Sequence, residues 1–115
     1  MSDVPEDDLA QARLAAEGVK ASQEKYRSTE DPHLRERAKI SKEGHAREVG
    51  YYVAKLRREY FTDEHFRRYP ELNALLVHPD RLAADVKVSN DPKTGETLVG
   101  LVAEIDKFVQ KTKNT

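Results

Sequence analysis

Between Pro32 and Phe61 one pattern recurs: Leu34, Ala38, His45, Val49, Val53, Leu56 and Tyr60 stand mostly three, four or seven positions apart. That spacing gathers side chains on one face of a helix; a strand of the same residues would scatter them over both faces. It predicts a helix over 33–61. Gly44 and Gly50 weaken it by about 1 kcal/mol each relative to Ala, so either is a candidate kink or a boundary between two shorter helices. A second stripe, Leu98, Leu101, Val102, Ile105, Phe108 and Val109, predicts a final helix over 96–112.

Residues 5–27 read as a further helix. Pro5 suits a first turn, and Glu6, Asp7 and Asp8 suit the positive end of the helix dipole. Its apolar stripe, Leu9, Ala12, Ala16, Val19 and Tyr26, is thin, and Gln23 interrupts it. Such a helix packs weakly alone and reads as an arm that orders against another surface. Ser28-Thr29-Glu30-Asp31-Pro32 is a break, with Asp31 or Thr29 as cap of the 33–61 helix and Pro32 in its first turn. Thr62 caps a short helix. Pro70 ends that helix or opens the next, 71–77.

The segment after His78 is open to two readings. Val86 and Val88 alternate with polar residues, and Asn90-Asp91-Pro92-Lys93-Thr94-Gly95 is a strong turn signal. The preferred fold class is mainly α: a small helical domain with an extended N-terminal helix, divided into an acidic arm, 1–31, and a helical domain, 32–115. The alternative is a winged-helix-like α+β arrangement with a hairpin at 85–102. The expected core is Leu34, Val49, Val53, Leu56, Tyr60, Phe66, Leu72, Leu75, Leu76, Leu98, Val102, Ile105 and Phe108.

Charge is segregated along the chain. Residues 1–31 hold 4 Lys/Arg against 8 Asp/Glu, residues 32–69 hold 10 against 6, and residues 70–115 hold 6 against 7. An acidic arm therefore precedes a basic, aromatic-rich middle, a pattern that points to contacts with macromolecules or between segments. With 36% charged and 37% hydrophobic residues and no Trp, the core is expected to be small and completed by a partner. The chain has no Cys, which excludes disulfides, thiolate metal sites and Cys nucleophiles. The start carries no apolar run and no stretch reaches the length of a membrane span, so an intracellular, cytoplasmic protein is the default.

The basic middle converges on Lys55, Arg57, Arg58, Tyr60, Phe61, His65, Phe66, Arg67, Arg68 and Tyr69. Arginine forks match carboxylate and phosphate geometry, and aromatic faces stack on bases. Arg57, Arg58, Tyr60, Phe61, His65, Arg67, Arg68 and Tyr69 are the candidate partner-binding residues. The plainer reading makes the aromatics core and the arginines solvated. The acidic arm, Asp3, Glu6, Asp7 and Asp8, is a candidate clasp for this patch.

Four His residues, 33, 45, 65 and 78, show no spacing of three or four, so neither a metal nor a cofactor is expected. The carboxylates offer no distinguished acid–base pair. The chain is thus expected to be no enzyme but a protein–protein interaction module, an adaptor or small complex subunit. Its partner would be a protein with an acidic or apolar surface, or a second copy of itself. A nucleic-acid module using the arginines is the alternative.

His78-Pro79-Asp80 supports one more alternative. This tripeptide resembles the signature of J-domains, the Hsp70-activating co-chaperone modules. Tyr51-Tyr52, Arg67-Arg68 and Val102-Ala103-Glu104-Ile105 extend the resemblance over about 51–109, while Pro70 and Asn73 depart from it. The resemblance implies that His78, Pro79 and Asp80 contact Hsp70.

Overall fold

The computed structural model describes residues 5–113, without the side chains at positions 79, 80, 83 and 87. Five helices follow one another: α1 Pro5–Ser28, α2 Pro32–Glu59, α3 Asp63–Arg68, α4 Glu71–Val88 and α5 Pro92–Lys113. No strand occurs among the described residues. The preferred helical class is the one observed, and the hairpin at 85–102 gives way to the end of α4, a short turn and the start of α5.

The four long helices form an antiparallel bundle in which α1 packs on α2 and α5, and α4 packs on the same two. Side-chain pairs fix the directions. Asp8 meets Lys55 and Ser22 meets Ser41, so α1 and α2 run oppositely. Glu6 meets Lys113 and Lys20 meets Glu96, so α1 and α5 do too. The turns 29–31 and 89–91 lie at one end of the bundle. Short α3, the start of α1 and the finish of α5 lie at the other.

Local chemistry sets the helix boundaries. Asp31 caps α2 by accepting from the His33 N–H at 2.9 Å, and Pro32 occupies the first turn. Thr62 caps α3, and His65 completes the box: its backbone N–H donates to the Thr62 hydroxyl while its Nδ1 accepts from the Thr62 N–H at 3.1 Å. Two expected breaks do not occur. α2 runs unbroken through Gly44 and Gly50, and α4 continues past Pro79 to Val88. In both helices buried side chains lie on either side of the weak position, Ala38, Val49 and Val53 in one, Leu72, Leu76 and Val86 in the other, so tertiary packing outweighs local propensity.

Every expected core position except Leu34 lies in the core or packs against it. Leu34 is 48% exposed, on the rim of an open groove between α1 and α2. α1 is docked through Leu9, Ala12, Ala15, Ala16 and Val19, and its small side chains let neighbouring helices come close. α1 and α5 come close at Gly95, where a Cβ would stand 2.7 Å from Lys20 Cα. Gln23, which breaks the apolar stripe of α1, is wholly buried. Its Nε2 donates to Thr94 Oγ1 at 2.7 Å and to Ser89 O at 3.2 Å, and its Oε1 accepts the Gly95 N–H at 3.1 Å. One side chain of α1 thus satisfies an otherwise unpaired amide at the start of α5. Lys42 reaches the same turn from α2, donating to Ser89 O at 2.8 Å and to Asn90 Oδ1 at 3.1 Å.

Candidate functional site

The basic–aromatic residues are brought to one end of the bundle, but they split into two layers. Phe61 is buried, and Tyr60, Phe66 and Tyr69 pack on the core around it. Tyr60 donates to or accepts from Thr112 at 2.7 Å, and the Tyr69 ring meets Phe108 edge-on with centroids 5.5 Å apart. Arg57, Arg58, Arg67 and Arg68 point outward. Arg57 donates to Asn73 Oδ1, and Arg67 pairs with Glu64 at 2.7 Å. That pairing holds the Glu64 carboxyl below the ordinary carboxylate value, chiefly through the hydrogen bond. The aromatics of this cluster knit α2, α3, α4 and α5 together, with the arginines as a rim.

The acidic start of α1 meets two lysines, one of them Lys55 of the basic cluster. Asp8 pairs with Lys55 at 3.5 Å, and the carboxylate raises the Lys55 ammonium above its ordinary value. Glu6 pairs with Lys113. Asp3 lies outside the described residues.

His78-Pro79-Asp80 lies within α4, with the Pro79 and Asp80 side chains outside the described ones. His78 borders an open cleft of about 570 Å³ between α4 and α5, with Glu71, Arg81, Glu104 and Phe108. A second groove, about 580 Å³, runs between α1 and α2 past Gly18, Lys25, Leu34, Arg37 and His45.

The histidines stay apart. His33 sits exposed in the first turn of α2, His45 pairs with Glu48 at 3.0 Å, His65 is held in the α3 capping box, and His78 lies on α4. Among the described residues no three His, Cys, Asp or Glu side chains converge on a point where a metal ion could sit. No helix among them is long and apolar enough to cross a membrane.

Comparison with known proteins places this antiparallel bundle. Residues 6–113 match the family model described as nickel-containing superoxide dismutase. The chain is 42% identical over 106 residues to the nickel superoxide dismutase of Streptomyces coelicolor, a match covering 92% of this chain and 81% of that protein. The native nickel superoxide dismutase structure superposes with a TM-score of 0.90 at 40% identity, covering 93% of this chain and 92% of the other. A crystal structure of the nickel enzyme with its nickel ligation in the oxidised state does so with the same score at 38% identity and the same coverage. The chain belongs to the nickel-containing superoxide dismutase family.

This membership overturns the expectation of a non-enzymatic adaptor or complex subunit, and with it the nucleic-acid and J-domain-like alternatives. Each rests on features the bundle uses otherwise: the aromatic patch is largely core, and the His-Pro-Asp tripeptide is a stretch of helix. The relatives are enzymes, oxidoreductases by name. No residue pattern expected from the sequence leads there; the match extends over residues 6–113 rather than over a short motif.

The family's name carries a metal, and the residues present do not fit it. Nickel that cycles between oxidation states needs electron-rich, soft donors. The chain offers no thiolate, and its imidazoles do not meet.

Proposed function

We propose that the chain serves superoxide disproportionation as the helical body of a dismutase assembly. In that reaction two superoxide anions and two protons give one dioxygen and one hydrogen peroxide. The observation that carries the reading is 42% identity over 92% of the chain, joined to a TM-score of 0.90 against the native nickel enzyme. Likeness at that level across a whole bundle favours shared assembly and shared reaction over shared fold alone.

Self-association belongs to the same reading. Leu14, Ile40 and Tyr51 are 62%, 60% and 59% exposed on α1 and α2, the kind of apolar surface that subunits cover. The test is superoxide decay followed by stopped-flow absorbance, using the chain in the assembly isolated from its native cells. Decay faster than the spontaneous rate, scaling with the amount of chain, is expected. An assembly that leaves the spontaneous rate unchanged overturns the proposal.

A further inference from the structure

We infer that these 115 residues do not build a redox-active nickel centre from their own side chains, so that a dismutase containing them draws its metal donors from outside these residues. The second clause rests on the dismutase reading above; the first stands without it.

Disproportionation through a metal requires one centre to take an electron from one superoxide and return it to the next. Nickel held only by imidazole and carboxylate side chains is hard to oxidise beyond the divalent state. Thiolates, which donate electron density to the metal, bring the higher oxidation state within reach. This chain has no cysteine, and its single methionine is Met1. No residue of the sequence can supply a thiolate.

Among the described residues the remaining donors do not converge on one point. Glu48 holds the His45 Nδ1, and the Thr62 N–H occupies the His65 Nδ1. His33 and His78 sit on α2 and α4 without a third donor beside either, since no trio of His, Cys, Asp or Glu gathers among the described residues. Buried polar groups agree. Every buried side-chain nitrogen or oxygen among the described residues has a hydrogen-bond partner, so none waits for a ligand. Of the interior polar residues, Gln23 and Lys42 tie helices to the 89–91 turn instead.

The decisive experiment loads the purified 115-residue chain with nickel(II), removes unbound metal on a desalting column and measures retained nickel by mass spectrometry and visible absorption. The Streptomyces coelicolor relative, treated in parallel, serves as the nickel-retaining control. The expected result is nickel at background and no ligand-to-metal band in this chain. One equivalent of nickel retained per chain, lost in His45→Ala or His78→Ala, overturns the inference whatever the activity. The assembly isolated from native cells is assayed alongside for superoxide decay and for its component chains. An active assembly with a cysteine-bearing component supports the inference in full. An active, nickel-loaded assembly of this chain alone overturns it. An inactive assembly overturns the dismutase reading and the second clause with it, and leaves the nickel result to decide the first.

Discussion

Two glycines in α5 separate a packing requirement from a local weakness. A Cβ on Gly95 would stand 2.7 Å from the backbone Cα of Lys20 and 2.6 Å from Gln23 Oε1, so α1 and α5 must move apart to admit it. Gly95→Ala is expected to cost about 1–3 kcal/mol, the usual penalty of overpacking. At Gly100 nothing lies within 4 Å of the same added atom. Gly100→Ala is therefore expected to stabilise by about 1 kcal/mol through helix propensity alone. Urea titrations of the two variants should shift their midpoints in opposite directions. Lys42 sets a third test. Lys42→Met keeps the stem but removes the donors to Ser89 O and Asn90 Oδ1, an expected loss of about 2 kcal/mol. Burial pushes the Lys42 ammonium below its ordinary value of 10.5, so the folded protein sheds this proton before the unfolded chain does. The cost of burying the charge is complete below the folded value and is relieved as pH rises from there toward 10.5. Stability of the parent relative to Lys42→Met should thus increase across that alkaline window. Denaturation at a series of pH values, read as the difference between the two proteins, isolates this from Lys55, whose raised value acts with the opposite sign.

Among the elements, helices with strong stripes are readable from the sequence and their interruptions are not. The expected spans 5–27 and 33–61 differ from α1 and α2 by no more than two residues at any end, because Pro5, Pro32 and Asp31 mark starts by their own chemistry. α4 extends well beyond the expected 71–77 because Pro79 suggests a stop that Leu72, Leu76 and Val86 override from either side. The pair Val86 and Val88 shows why the hairpin reading fails. A strand puts residues two apart on the same face, whereas a helix turns them nearly opposite. Val86 is fully buried and Val88 is 86% exposed. Gln23 misleads for a related reason: a polar residue in an apolar stripe looks like an interruption until its partners, Thr94, Ser89 and Gly95, arrive from the far end of the chain. At this scale the cap of α2 gives the simplest test. Asp31→Ala leaves the His33 N–H without its acceptor and should cost about 1 kcal/mol, measured as a lowered thermal midpoint with the far-UV spectrum unchanged.

For the molecule as a whole, class is legible in the sequence and reaction is not. Segregated charge and absent cysteine describe the chain's chemistry correctly, yet they lead to a non-enzymatic expectation that family membership overturns. Buried residues such as Ala12, Ala16, Val49 and Leu98 look, in a single sequence, like the interior of any helical bundle. The bundle's directions carry a consequence for its connectivity. Glu6 touches Lys113, so the start of the first helix and the finish of the last are neighbours in space. The order of the helices along the chain is then one choice among several that would give the same body. A circular permutant, with a short glycine–serine bridge across that end and new termini opened at Glu30, should fold to the same helical content. The opening leaves intact the contacts that Gln23 and Lys42 make with the 89–91 turn.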